Sequence, residues 1–213
     1  MRNKTSLFVA ILFVIETSFS QGFINLNFES ADVSGFPTGW VPTTNAIPGW
    51  IAYIGGSQVD EVVYNTRPLD AAEVTLQGTN SDSLTPIKGK FTAMLFGSSI
   101  FGPQQGAAIG QTGQIPLDAL SLTFWGYSSD VSFAGQALSL VVLGTTPDYY
   151  IYGADISAFA GHAGQLLFTV PPNSLSIIDN IRFLSSPVPE PSTLALVALG
   201  GLLLGLRRLR KIA

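Results

Sequence analysis

The sequence predicts an all-β protein, an antiparallel β-sandwich or jelly roll, and three observations support this class. Short apolar segments recur about every 10 to 15 residues, a spacing typical of sandwiches and barrels. Turn formers separate them, with 22 glycines and 13 prolines in the chain. Several segments also alternate apolar and polar residues: Leu120, Leu122 and Phe124 oppose Ser121 and Thr123. Period-two alternation fits half-buried antiparallel strands.

The predicted strands lie in a body that spans residues 21–186 as one domain. The first strand, 22–29, places Ile24, Leu26 and Phe28 on one face. Only 153–161 is predicted to form a helical turn, capped by Asp155. The full set of predicted strands is 22–29, 47–54, 58–64, 72–77, 90–96, 106–111, 119–127, 136–143, 148–153, 165–170 and 176–184.

Residues 1–20 have the layout of a secretory signal peptide. Arg2 and Lys4 form a positive start, and 7–15 is an apolar run too short to span a bilayer. Small residues follow, and Ser20 is placed for a signal-peptidase cut. We therefore expect the body to be exported.

The charge and cysteine content of the body exclude some partners. Between residues 21 and 189 there are twelve carboxylates and four basic side chains, a net charge of −8. A surface this acidic repels phosphate backbones, so nucleic-acid binding is not expected. The chain has no cysteine, so its stability cannot come from disulfides.

The C-terminus combines a rigid motif, an apolar helix and a basic end. Pro189, Glu190 and Pro191 keep the chain extended, and the apolar run 193–206 follows. Counted with Ser192, this run gives roughly 22 Å of helix, against a hydrocarbon core about 30 Å thick. The cations after it favour a cytoplasmic end, with the body on the far side of the membrane. These basic residues are Arg207, Arg208, Arg210 and Lys211.

This order of elements over 187–213 resembles the PEP-CTERM sorting signal of exported bacterial proteins. The resemblance implies that Pro189, Glu190 and Pro191 are recognised by exosortase, a membrane-embedded cysteine transpeptidase that cuts near them. It also implies inner-membrane anchoring by the C-terminal helix before processing, and an envelope or extracellular location afterwards. The three motif residues are then substrate of another enzyme and perform no chemistry themselves.

Two segments of the body resemble the first and last strands of jelly-roll bodies similar to carbohydrate-binding modules. These segments are Asn27-Phe28-Glu29 and the run 179–183, Asp-Asn-Ile-Arg-Phe. The resemblance implies a structural calcium ion held by Glu29 and Asp179. Calcium needs several oxygen ligands, and two carboxylates are few.

The position of Asp179 in its predicted strand leaves a second explanation open. Strict alternation puts Asp179 on the same face as the apolar Ile177 and Ile181, where a carboxylate must find a cation or hydrogen-bond donors. The alternative to calcium is that Asp179 accepts backbone N–H bonds in a bulge while Glu29 is solvated.

Carbohydrate binding would need exposed aromatic rings, and Trp125 and Tyr127 lie opposite the Leu122 and Phe124 face. The alternative is that these rings belong to the core or its rim, since sandwiches bury many aromatics. The segment 39–50 is predicted to be a loop or edge whose tryptophans cap the core.

No catalytic constellation is recognisable, so we expect no enzyme activity. His162 is the only histidine, and no nucleophile elbow accompanies it. Asp60 and Glu61 are adjacent, so in a strand they would point to opposite faces. The predicted function is a structural or adhesive component of an extracellular polysaccharide matrix. A carbohydrate-binding module and a secreted hydrolase are the alternatives.

Overall fold

Two β-sheets face each other in the computed structural model of this chain, which describes residues 22–66, 70–81, 84–98, 103–127 and 129–188. The predicted signal peptide lies outside these ranges. The strands are β1 Gly39–Pro42, β2 Ile51–Ile54, β3 Ser57–Val59, β4 Glu61–Tyr64, β5 Glu73–Gly78, β6 Phe91–Phe96, β7 Ala107–Gln114, β8 Ser121–Gly126, β9 Asp130–Phe133, β10 Gln136–Ala137, β11 Val141–Thr145, β12 Tyr150–Asp155, β13 Ala163–Val170 and β14 Leu175–Leu184.

The strands form one eight-stranded and one six-stranded sheet. The larger sheet has the order β1-β4-β5-β6-β14-β8-β12-β11, and the smaller has the order β10-β9-β13-β7-β2-β3. Among the paired strands of the described residues, only β4 and β5 run parallel. The prediction of an all-β sandwich is confirmed, whereas its finer classification as a jelly roll stays a prediction.

The core lies between the two sheets and is rich in aromatic rings. Phe124 of β8 meets Phe168 of β13 edge-on, with ring centroids 5.2 Å apart. Trp50, before β2, packs against Phe168 at 6.1 Å and is only 4% exposed. Each fully buried ring contributes on the order of 2–3 kcal/mol, so this cluster supplies stability that disulfides do not.

A bulge in β14 reverses the alternation of its side chains. The register with β8 shifts between Asp179 and Arg182, and Asn180 has a positive φ of 49°. Ile178 and Ile181 both join the core cluster, while Asp179 pairs with the outward-facing Trp125. The prediction that Asp179 shares a face with Ile181 is therefore wrong, because an extra residue separates them.

The predicted first strand, 22–29, is absent apart from an isolated bridge at Gly22. Positive φ angles at Asn25 and Phe28 turn the chain, so Ile24 is exposed while Phe28 is fully buried. The side chain of Gln111 takes the place of a strand partner. Its amide accepts from the N–H of Ile24 at 2.6 Å and donates to the Ile24 carbonyl at 3.0 Å.

Several other predicted elements differ in detail from those observed. The predicted strand 58–64 is divided at Asp60 into β3 and β4, and 136–143 is divided into β10 and β11. Strands β1 and β9 lie where none was predicted. Of the predicted helical turn at 153–161, only Ser157–Phe159 is helical, as a 3-10 helix, and residues 153–155 belong to β12. Ile156 rather than Asp155 is at the N-cap position, although the Asp155 carboxylate accepts from the N–H of Ser157 at 2.8 Å.

The region before β2 contains a short helix, α1 Thr43–Ala46, and the two tryptophans of the predicted loop. Trp50 caps the core as expected, but Trp40 lies on edge strand β1 and is 66% exposed. Within the described ranges, no helix has the length and apolar character needed to cross a bilayer. The predicted helix 193–206 lies outside these ranges.

Candidate functional site

Asp179 is completely buried on the outer face of the eight-stranded sheet. Its Oδ2 accepts from the backbone N–H of Lys88 at 3.0 Å and from the Thr92 hydroxyl at 2.9 Å. Its Oδ1 accepts from the N–H of Asn180 at 2.6 Å, inside the bulge. The carboxylate therefore joins three separate donors, and it ties the segment before β6 to the middle of the sheet.

Glu29 holds the same segment from its other side. Its Oε1 accepts from the N–H groups of Lys90 at 2.8 Å and Phe91 at 3.1 Å. Gly89 has a φ of +74°, and a Cβ at this position would collide with the Glu29 carboxylate. We call Glu29, Asp179 and the segment 87–91 that they bind the carboxylate clamp.

Burial and charge both raise the pKa of Asp179. Loss of hydration raises it most, from its ordinary 3.8 to about 6, and the nearby charge of Glu29 adds to the increase. The hydrogen bonds from Thr92, Asn180 and Lys88 lower the pKa but offset only part of the effect. The ionised form is thus costly in the folded protein, although three donors surround it.

The arrangement of the clamp bears on the predicted calcium site at Glu29 and Asp179. N–H and O–H donors point at both carboxylates, which matches the hydrogen-bonding alternative for Asp179. Glu29 is half-buried and hydrogen-bonded rather than simply solvated. In the part of the chain that the structure describes, no three His, Cys, Asp or Glu side chains group to hold a metal ion. Calcium binding stays a prediction.

One polar atom beside the clamp has no partner. Asn180 is 6% exposed, and its Nδ2 is the buried side-chain polar atom that lacks a hydrogen bond among the described residues. Its Oδ1 accepts from Arg182 Nε at 3.2 Å, which fixes the orientation of the amide. The bulge therefore contains one buried N–H donor without an acceptor among the described residues.

The predicted carbohydrate-binding pair, Trp125 and Tyr127, is only partly available to a ligand. The Trp125 ring is stacked on Tyr149, with centroids 5.3 Å apart and planes 14° apart. The Lys88 ammonium lies 5.1 Å from the Trp125 ring centroid. Tyr127 is 37% exposed. A sugar that stacked on Trp125 would compete with these neighbours, and the role of the pair stays a prediction.

A cleft that the sequence did not reveal lies at the β1 and β3 edges of the sandwich. It has a volume of about 420 Å³, and its lining includes Trp40, Asp60, Glu61 and Glu73. Because Asp60 falls in the break between β3 and β4, it is not held opposite Glu61 as in a continuous strand. Burial raises the pKa of Glu73, and a hydrogen bond from the Thr75 hydroxyl partly offsets this increase.

The segment just before the predicted Pro-Glu-Pro motif is packed against the sandwich. Ser121 Oγ donates to the carbonyl of Ser186 at 2.7 Å. Val188 packs beside Gly153, where a Cβ would lie 3.3 Å from the Val188 side chain. Pro189, Glu190 and Pro191 lie outside the described residues, as do the predicted membrane-flanking residues Arg207, Arg208, Arg210 and Lys211.

Comparison with known proteins gives one match that bears on function. Residues 187–211 match the family model of the PEP-CTERM protein-sorting motif. The match suggests an exported protein that exosortase processes, because such signals mark proteins for export and for membrane anchoring before processing. It covers only the C-terminus and assigns no role to the body.

Comparison of the whole chain adds little to this result. No curated protein matches the chain. A crystal structure of the enzymatically active domain of tailspike protein 4 from bacteriophage CBA120 is similar at 14% identity, covering 73% of this chain. The chain spans 21% of the length of that tailspike chain, with a TM-score of 0.39.

The buried Asp179 predicts a specific dependence of stability on pH. Because its pKa is higher in the folded than in the unfolded chain, its contribution to stability is fully present below about pH 4. As the pH rises through about 6, this contribution to the free energy of unfolding is lost, and the loss amounts to about 3 kcal/mol. Urea unfolding in chelator-containing buffer measures this fall, which the Asp179→Asn variant should lack. Identical pH profiles for the two proteins would contradict the assignment.

Removal of divalent cations tests the calcium prediction separately. Because N–H donors bind Asp179 and one oxygen of Glu29, the hydrogen-bonding alternative predicts the same midpoint of thermal unfolding with and without a calcium chelator. Calorimetry of the chelated protein, followed by added calcium, measures this. A midpoint that falls on chelation and recovers with calcium, but not in the Asp179→Asn variant, would establish a calcium site instead.

Proposed function

We propose that this chain is an exported protein that is held in the inner membrane by its C-terminus until exosortase removes that segment. The match of residues 187–211 to the PEP-CTERM sorting motif carries this proposal. The predicted signal peptide supports it, since a signal peptide directs the body across the membrane while the C-terminal segment stays behind in the bilayer. The predicted cations at 207–211 support the same orientation.

We further propose that the released body is a structural or adhesive component of an extracellular polysaccharide matrix and has no enzyme activity. A sandwich with a large apolar core, held by buried hydrogen bonds and without cysteine, is suited to persist outside the cell. Its net charge of −8 favours solubility and opposes association with anionic polymers. Contacts with the matrix would therefore involve neutral or cationic groups.

Substitution of the motif glutamate tests the sorting function. We expect Glu190→Gln to block processing, because the carboxylate is the charged feature of an otherwise rigid Pro-Glu-Pro segment. In a host that contains exosortase, immunoblots should show full-length protein accumulating in the membrane fraction. Asp118→Asn, in an exposed loop of the body, is the matched control and should be processed normally. Normal processing of the Glu190 variant would refute the assigned role of the motif.

Carbohydrate binding is the second candidate function, and the cleft beside Trp40 favours it. A tryptophan that is 66% exposed offers a flat apolar face on which a sugar ring can stack. Asp60, Glu61 and Glu73 offer carboxylate acceptors for hydroxyl or ammonium groups. This chemistry fits neutral or amino sugars and disfavours uronic acids. We propose the cleft as the place where such a ligand would bind.

Affinity electrophoresis in gels with neutral or amino-sugar polysaccharide tests this candidate. We expect the protein to be retarded, and Trp40→Ala to lower its affinity about tenfold, equivalent to about 1.4 kcal/mol. Trp125→Ala is the matched control, because that ring is already stacked on Tyr149. A larger loss of affinity with Trp125→Ala would instead place the carbohydrate site at Trp125 and Tyr127. If the wild-type protein is not retarded, carbohydrate binding is refuted and the structural or adhesive role is the remaining candidate.

A further inference from the structure

The last described residues leave the body at a fixed place on the eight-stranded sheet. The hydrogen bond from the Ser121 hydroxyl to the Ser186 carbonyl holds the chain at the start of β8. Two residues later, Val188 lies against Gly153 of β12. The Leu143 side chain of β11 also lies beside Gly153, since a Cβ on Gly153 would contact both Leu143 and Val188. The tail thus departs beside edge strand β11.

Little chain separates this exit from the predicted membrane helix. The helix is predicted from residue 193, five residues after Val188. Even fully extended, five residues reach at most about 18 Å. If the helix is inserted, as the proposed function requires, β11 must lie close to the bilayer surface. The part of the body around Val188 and β11 is therefore the part nearest the lipid.

Strand β11 itself is uncharged, and the exposed Asp148 lies in the turn that joins it to β12. Val142 is 55% exposed, Leu143 is 38% exposed, and Tyr150 of the neighbouring strand is 40% exposed. The run 137–147 contains no charged residue, although β11 is an edge strand. Free edges of soluble proteins usually carry charges that discourage pairing. Exposed aliphatic and tyrosine side chains suit the membrane interface. We call Val142, Leu143 and Tyr150 the edge patch.

We propose that the edge patch rests on the bilayer surface while the C-terminal segment is inserted, and that it leaves the membrane when that segment is removed. The partner is the headgroup region of a lipid bilayer, reached because the tail exits beside β11. This inference rests on the proposed anchoring function and adds the orientation of the body.

The strength of this contact explains why it would end on processing. Three side chains are too few to hold a free protein on a membrane, where even one acyl chain binds only marginally. A short tether raises the effective concentration of the patch near the lipid to the order of millimolar, so a weak contact is populated while the tail remains. Cleavage removes the tether, and the acidic body then dissociates.

A single fluorophore can report this contact, because the chain has no cysteine. We would place an environment-sensitive label at Val142→Cys and reconstitute the full chain in phosphatidylcholine vesicles that carry a headgroup nitroxide quencher. The matched control is Trp40→Cys, an exposed position on β1, the opposite edge of the same sheet. We expect several-fold stronger quenching at position 142 than at position 40. Equal quenching would overturn the inference.

Three further outcomes distinguish the alternatives. Protein that does not float with the vesicles would refute the anchoring function itself. A label signal at 142 that grows with protein density, without quenching by the lipid nitroxide, would show pairing of two copies through β11 and overturn the inference. A flexible six-residue insertion between Ser186 and Pro187 should reduce quenching at 142 to the level of the control. Unchanged quenching would show that tail docking does not orient the body.

Discussion

The buried carboxylate of Asp179 is the interaction on which the organisation of the body most depends. It lies in a bulge of β14, near the middle of the larger sheet, and binds donors from its own strand and from the segment before β6. Because Thr92 belongs to β6 and Asn180 to β14, these bonds join two neighbouring strands of the sheet through a side chain. The strand continues from this bulge to the point where the tail leaves the body. One buried carboxylate therefore connects the segment before β6, β6 itself and the bulge of β14 on the outer face of the sheet.

The contacts around the C-terminus connect the fold to the proposed function. An exported protein that waits in the membrane for cleavage needs a body that folds outside the cytosol and a tail that remains accessible. In this chain the tail is held as far as Val188, and the predicted recognition motif begins at the next residue. The processing enzyme would meet a short segment between a folded domain and a bilayer. Under the proposed function, the body thus contributes to how the motif is presented to the processing enzyme.

Local patterns predicted the fold class and the sorting segment, whereas contacts between distant residues had to come from the structure. Alternation identified β8, where Leu122 and Phe124 face the core as predicted, although Ser121 and Thr123 of the same strand are also buried and Leu120 is exposed. Alternation failed at 22–29, where a glutamine side chain replaces a backbone partner, and at the β14 bulge, where Asn180 adopts a left-handed conformation. The resemblance of the first and last strands to known jelly-roll bodies also linked Glu29 with Asp179. It could not show that both bind one loop from 87 to 91, which lies far from each of them along the chain.

Mass spectrometry of the C-terminal peptide tests the central claim most directly. The protein would be purified from the medium and envelope of its native host, without a tag at either end. The account predicts a C-terminus at or next to Pro189–Pro191, with every peptide from the apolar run and the basic end missing from the released form. Released protein that still ends at Ala213, with the apolar run intact, would contradict it.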